Sequence, residues 1–334
     1  MPDTTPRTVP RQRVIDRLRA GEPAALARAL TLTETGGADA QTLLRQIHGD
    51  QHGDPARHAV VVGFTGPPGV GKSTLISAYV RTLRGEGRTV AVLAVDPTSP
   101  KSGGAILGDR ARMGEHAVDQ GVFIRSLAAR SHLGGLTLNI HALVDVVAAA
   151  GWDVIVLETV GTGQSEIEVA NVADVTVVIS APGLGDEVQA LKAGILEIAD
   201  VLVVNKADLP GAARTEQQLG TMLHLRPDDA PEIPVIPTVA AEGEGLDALT
   251  TAIDSRAATI TPAGRARRAR SHAVDLIAEA AGRRVRERFR GPEAAALDAL
   301  SRRLLAGEIN ADEAARLALL SQPAGSPLPP DIPK

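Results

Sequence analysis

The sequence predicts an α/β protein with a doubly wound, mostly parallel sheet, extended by helices at both ends. Two observations carry this. Seven apolar runs, at 59–64, 89–95, 121–125, 153–158, 174–180, 201–204 and 233–237, are continuous rather than alternating, as in strands buried on both faces of a parallel sheet. Helical lengths fall between them, at about 72–84, 133–150, 185–198, 211–224 and 245–256, and such strand–helix alternation is the pattern of right-handed βαβ units. Composition agrees: 44% of the 334 residues are hydrophobic, yet only Phe64, Tyr79, Phe123, Trp152 and Phe289 are aromatic, so the core has to be aliphatic.

Taken in order, residues 1–56 read as an N-terminal helical extension, with Val14 and Leu18, Leu26 and Leu30, then Leu43, Leu44 and Ile47 at helical spacing. Residues 57–260 hold all seven apolar runs and form the sheet domain. Thr261-Pro262 then opens a helical segment, 261–322, in which Ala273, Ile277, Ala281, Val285 and Phe289 step by four into one apolar stripe among Arg and Glu. A second helix ends at Gly307, and Asn310 with Glu313 makes a capping-box-like start for a third. Residues 323–334, rich in proline, read as a disordered tail.

The absence of cysteine excludes disulfides, thiolate metal sites and cysteine nucleophiles. A formal net charge of −5 and few aromatics argue against nucleic acid as a partner. The arginine-rich stretch 265–290 is interleaved with Asp275, Glu279 and Glu287, which is the pattern of a solvated helix face. No signal segment and no apolar run of the ~20 residues that span a bilayer is visible, so a cytoplasmic protein with no membrane association is expected. Lysine is scarce: Lys72, Lys101, Lys192, Lys206 and Lys334 are all there are, so each surviving lysine points to a possible requirement.

The first of them sits in Gly66-Pro67-Pro68-Gly69-Val70-Gly71-Lys72-Ser73, which matches G-x-x-x-x-G-K-[ST] and lies where that motif belongs, after a strand and opening a helix. Its glycines let backbone N–H groups converge on phosphates, the helix N-terminus adds partial positive charge, and Lys72 reaches the terminal phosphates. Ser73 is the expected Mg²⁺ ligand. Asn205-Lys206-Ala207-Asp208 follows the sixth run as N-K-x-D. The Asp208 carboxylate can accept from N1–H and the exocyclic amine of guanine, whereas adenine would leave it unpaired, so the expected nucleotides are GTP and GDP.

Glu158-Thr159-Val160-Gly161 ends the fourth run and reads as a D-x-x-G switch with Glu in the Asp position. Glu158 would hold Mg²⁺ through a water, and the Gly161 N–H would sense the γ-phosphate. Gln164 and Glu166 are candidates to position the attacking water, and fit equally well as polar caps of the next helix. Asp96 and Asp109 lie in a stretch flanked by proline and glycine, which suggests a loop closing on metal and phosphate; they are assigned to the Mg²⁺ shell, with an N-cap role as the competing reading. Arg110 and Arg112 are candidates for a catalytic arginine.

The blocks VDPTSPKSGGAILGDRARM, IRSLAARSHLGGL, VLETVGTGQSE, GLGDEVQALKAGILEIAD and NKADL resemble those of the MeaB family, the methylmalonyl-CoA mutase-associated GTPases, over roughly residues 10–320. The resemblance implies a Mg²⁺-dependent phosphate-loop GTPase that chaperones an adenosylcobalamin-dependent acyl-CoA mutase, gating cofactor delivery and protecting or reactivating the mutase. Carried over, Asp96, Asp109 and Glu158 fall at the family's acidic metal positions, and Lys72, Ser73 and Thr74 in its phosphate loop. Pro182 to Lys192 aligns with a further segment that couples nucleotide state to the mutase. Val239 and Ala240 fall in the second base-side loop, where backbone N–H groups act, and Val239 departs from the usual Ser-Ala pair. Ser131 replaces a usual glycine. The C-terminal helices resemble the family's dimerisation arm, which implies a homodimer. Two rivals stand beside this: a nickel-insertion metallochaperone GTPase, for which His48, His52 and His58 make a poor site, and a kinase-like ATPase acting on an amino-acid transport binding protein, against which NKAD speaks.

Overall fold

The computed structural model describes residues 11–50, 59–97, 114–116, 118–129, 137–159, 170–183, 195–224, 226–227, 230–290 and 294–320, and its backbone contacts divide the chain into units 1–269 and 270–334. Within the first unit, every apolar run overlaps a strand: β1 (Val60–Thr65), β2 (Val90–Pro97), β3 (Val122–Ala129), β4 (Val154–Glu158), β5 (Val175–Ser180), β6 (Val201–Asn205) and β7 (Val235–Thr238). They form one sheet in the order β3-β2-β4-β1-β5-β6-β7, and all pairs are parallel. β3 runs four residues beyond the apolar run that marks it, because its Ser126–Ala129 end stays paired with β2 up to Pro97–Ala129. Ser126 interrupts the apolar run there, and backbone pairing carries the strand past it.

Helices α1 (Arg11–Arg19), α2 (Pro23–Thr35) and α3 (Ala38–Asp50) precede the sheet. Inside it come α4 (Lys72–Gly85), α5 (Thr137–Ala149), the four-residue α6 (Ile195–Ile198), α7 (Ala212–Leu223) and α8 (Leu246–Ala258). Strand alternation splits the core between two faces. Val62, Phe64, Val92, Val156, Val177 and Val203 pack with Leu75, Tyr79 and Leu83 of α4 and with Leu249 and Ile253 of α8. On the other face, Val61, Leu93, Ile155 and Leu157 meet Ile140, Leu143 and Val147 of α5 together with Ile15, Leu18, Leu26, Leu30, Leu43 and Ile47. The N-terminal helices are therefore part of a covering layer. In α1 the buried pair is Ile15 and Leu18, one residue along from the Val14–Leu18 spacing, with Val14 only half-buried.

Four of the five aromatics pair off, one pair per face. Phe64 of β1 meets Tyr79 of α4 with the rings tilted by 52° and their centres 5.5 Å apart, and Phe123 meets Trp152 at 6.1 Å on the opposite face. Burial pushes the Tyr79 phenol pKa upward and keeps it neutral.

Around the unit boundary, α9 (Pro262–Arg290) starts where the sequence breaks: Thr261 Oγ1 accepts from the Gly264 N–H at 3.1 Å, and proline occupies the first helical position. In the second unit, α10 (Ala294–Leu305) and α11 (Ala311–Leu320) pack on each other. Asn310 Oδ1 accepts from the Glu313 N–H at 2.8 Å, as the capping pattern requires. Gly307, at φ 73°, ends α10 in the left-handed region. Of the α9 stripe, Ala273, Ile277 and Ala281 are exposed among the described residues, Ile277 at 69%. No helix among the described residues is long and apolar enough to cross a membrane.

Leu30→Ala empties a fully buried site in the core that α2 shares with α5, and should cost about 2–5 kcal/mol in denaturant unfolding. A loss under half of that range would mean the N-terminal helices contribute little to the core. A second link between layers titrates. His48 of α3 lies 2.8 Å from Asp145 of α5, and this hydrogen bond raises the His48 pKa against an opposing effect of partial burial. The folded pKa lies above the ordinary 6.5, so this contribution is complete below that pH and disappears as pH rises through the folded value. Asp145→Asn should flatten the fall in melting temperature over that interval; an unaltered slope would assign the pH dependence to other groups.

Candidate functional site

β1 lies between β4 and β5, and the loop it feeds opens at the carboxyl edge of the sheet where successive connections diverge, the place where open α/β sheets bind ligands. Two of its glycines admit no side chain. A Cβ on Gly66, at φ 148°, would lie 2.3 Å from the Ile179 carbonyl oxygen, and one on Gly71, at φ 93°, would lie 2.5 Å from Asn205 Nδ2. Gly71 is the left-handed N-cap of α4 and gives that helix no side-chain cap, so the first N–H groups of α4 face the loop as an anion site. Val70 is fully buried and pins the middle of the loop, while Pro68, Gly69 and Thr74 are exposed.

Lys72 is buried, and its Nζ donates to the Gly66 and Pro67 carbonyls at 2.7 and 3.0 Å. The ammonium therefore lies across the loop that its own helix closes. Ser73, one residue on, donates from Oγ to Glu158 Oε1 at 2.7 Å. Glu158 is 4% exposed at the end of β4, in register with Phe64 on one side and Ala94 on the other. Asp96 follows Ala94 by two residues on β2, so its backbone reaches the same edge, level with Ala128. A hydroxyl and a carboxylate beside a phosphate cradle are hard oxygen donors of the kind Mg²⁺ takes, so the residues present fit that ion. Among the described residues there is no cluster of three or more His, Asp or Glu.

The N-K-x-D loop rests directly on the phosphate loop. Asn205 is 2% exposed; its Nδ2 donates to the Val70 carbonyl at 2.8 Å, while its Oδ1 accepts from Thr238 Oγ1 at 3.1 Å and from the Ala240 N–H at 3.2 Å. Lys206 is the one non-glycine residue with positive φ among those described, at 58°. That conformation sends Nζ to the Gly69 carbonyl at 2.8 Å, and such strain collects at functional positions. The Ala207 N–H donates to the Thr238 carbonyl at 3.0 Å, and Asp208 is exposed at the rim. Val239 and Ala240 are buried, and their N–H groups already serve inside the loops, Val239 to the Glu244 carbonyl at 3.1 Å and Ala240 to Asn205.

The structure thus brings together Gly66 to Thr74, Glu158, Asn205 to Asp208 and the Val239-Ala240 turn. Asp109, Gly161 and Gln164, with Arg110, Arg112 and Glu166, lie outside the described residues, as do residues 184–192 of the segment from Pro182 and the side chain of Asp96. Two contacts had no counterpart in the sequence reading. Asn205 was legible as part of a motif, not as the strut between two loops; a buried polar residue ending the run Val201–Val204 was the available signal. His116, buried against Ser77 of α4 with Nε2 2.9 Å from Oγ, ties the chain entering β3 to the phosphate-loop helix, and a lone histidine carries no such signal.

Residues 26–294 match the family model described as "Methylmalonyl Co-A mutase-associated GTPase MeaB". The chain is 39% identical to the Escherichia coli protein named "GTPase ArgK", over 77% of this chain and 78% of that one. It is 38% identical to mouse "Methylmalonic aciduria type A homolog, mitochondrial", over 70% of this chain and 61% of the relative. The fold is similar to a crystal structure titled "LAO/AO transport system kinase", with TM-score 0.71 and 26% identity over 95% of this chain and 99% of that one.

Asn205→Ala would leave the Val70 carbonyl and the Thr238 hydroxyl without their partner and uncouple the two loops. Guanine-nucleotide affinity should fall by about 10–100-fold, equivalent to the ~1–3 kcal/mol of an unsatisfied buried polar group. Calorimetry with GDP gives the number, and undiminished affinity would make the strut irrelevant to binding.

Proposed function

The chain belongs to the MeaB family of methylmalonyl-CoA mutase-associated GTPases, and from that premise we propose that it is a chaperone of an adenosylcobalamin-dependent acyl-CoA mutase of the methylmalonyl-CoA mutase type, gating cofactor delivery and protecting or reactivating the mutase. It binds guanine nucleotide and hydrolyses GTP. The observation that carries the site assignment is the seating of the Asn205–Asp208 loop on the phosphate loop through Val70 and Gly69.

In this reading the N–H groups of the loop from Gly66 to Thr74 take the phosphates, and Lys72 exchanges its carbonyl partners for β- and γ-phosphate oxygens, where its charge counts most as the bond to the γ-phosphoryl group loosens. Ser73, Glu158, Asp96 and Asp109 hold Mg²⁺, which when bound neutralises charge on the phosphates. Asp208 accepts from the guanine Watson–Crick edge. Val239 and Ala240 shape the base pocket; since both N–H groups are engaged within the loops, base contact requires a change of partner or the wall alone. Gly161 senses the γ-phosphate, and Gln164 orients the attacking water. The exposed α9 residues Val274 and Ile277 suit a homodimer arm, and a cytoplasmic location fits this client.

The kinase title of the similar crystal structure favours a second reading, ATP-dependent phosphorylation of a transport binding protein. Nucleotide choice separates the two. GTP turnover should exceed ATP turnover by at least about 100-fold in kcat/KM, since a bound adenine would cover the Asp208 carboxylate without giving it a donor. Asp208→Asn should move preference toward xanthosine triphosphate, whose C2 oxygen can accept from an amide. Comparable ATP turnover, or unaltered GTP preference in the variant, would overturn the base assignment. Calorimetric titration with cobalamin-dependent mutases should give nucleotide-sensitive binding; stoichiometric nickel uptake without mutase contact would instead support metal delivery.

A further inference from the structure

The end of β4 is gripped from both faces of the sheet. On the α4 face, Glu158 receives the Ser73 hydroxyl. The next residue, Thr159, points the other way, and its Oγ1 donates to Thr65 Oγ1 at 3.2 Å, while its N–H donates to the Phe64 carbonyl at 3.3 Å. Both threonines are buried, Thr65 at 0% and Thr159 at 1% exposure. Thr65 immediately precedes Gly66, and Thr159 stands two residues before Gly161, so the bond joins the roots of the phosphate loop and of the switch segment.

Alternation along these strands otherwise puts Val61, Ile155 and Leu157 on this face. Valine would fill either threonine site with nearly the same volume. A neutral hydroxyl pair adds little net stability, because each group gives up bonds to water, so what it supplies beyond valine is a fixed direction and distance. Ser180, at the end of β5, is the contrast. It is a buried hydroxyl on the same face, and it makes no hydrogen bond among the described residues.

We propose that Thr159, held by Thr65, is a positioning residue for GTP hydrolysis: the hydroxyl pair sets where the chain leaves β4 toward Gly161, and with it the alignment of Glu158 and the switch on the γ-phosphate. The pair lies on the face away from the nucleotide cradle, so it acts on turnover and not on nucleotide binding. This rests on the GTPase reading of the site, and GDP binding by the variants tells a failed proposal from a failed site.

Thr159→Val should lower kcat for GTP by about 10-fold, in keeping with the steep dependence of turnover on sub-ångström alignment. KM for GTP and GDP affinity should stay within about twofold, since the groups facing the phosphates are untouched. Thr65→Val should reproduce this from the other partner, the double variant should lose no more than the worse single one, and Thr159→Ser should restore turnover. Ser180→Ala should leave kcat unchanged. The proposal is overturned if the valine variants turn over normally and only melt earlier, if their losses multiply, if Thr159→Ser fails to rescue, or if Ser180→Ala is equally slow.

Discussion

Asn205 is the fixed point of the nucleotide end of this molecule. One short amide satisfies a carbonyl of the phosphate loop, a hydroxyl of β7 and an N–H of the turn after it, so three loops from three strands share one set of coordinates. Burial makes the arrangement rigid, because any displacement leaves a polar group unpaired where water cannot reach. Gly71 has to be glycine for the same reason: the amide stands where its Cβ would go. The sheet supplies the levels, with Asn205 and Thr238 in register and Glu158 and Phe64 in register, and the side chains then tie loop to loop across the rim.

Much of this was legible in the sequence because parallel sheets announce themselves. A strand covered on both faces favours apolar residues at successive positions, and each of the seven runs overlaps one. The phosphate loop and N-K-x-D were legible because their chemistry demands particular residues at fixed spacing. What could not be read were the long-range polar contacts. Nothing in Thr65, Thr159 or His116 as letters says that each closes a bond across dozens of residues, since threonine ends many strands and histidine sits in many turns. The phase of α1 was off by one residue for a related reason: Val14, Ile15 and Leu18 fit two faces equally well until α2 and α5 choose between them.

The two faces of the sheet divide the labour. The α4 face holds the helix that the Gly66–Lys72 loop opens, together with Ser73, Glu158 and the Phe64–Tyr79 pair. The other face holds α1 to α3 and α5, fastened by Leu26 and Leu30, by the ion pair of Glu34 with Arg125 of β3 and by His48 with Asp145. Among the described residues the strands lie between the two layers, and β4 ends with adjacent residues bonded on opposite faces, Glu158 to Ser73 and Thr159 to Thr65.

Trp152 is the chain's one tryptophan, buried against Phe123 in the layer that α1 to α3 cover. The indole emission of the protein thus originates at a single point, two residues before β4 begins and so at the opposite end of that strand from Glu158, within the first unit. Spectroscopically the second unit is silent: residues 270–334 can melt, associate or change partner without their own indole signal, and a dye or a second introduced indole is needed to observe them.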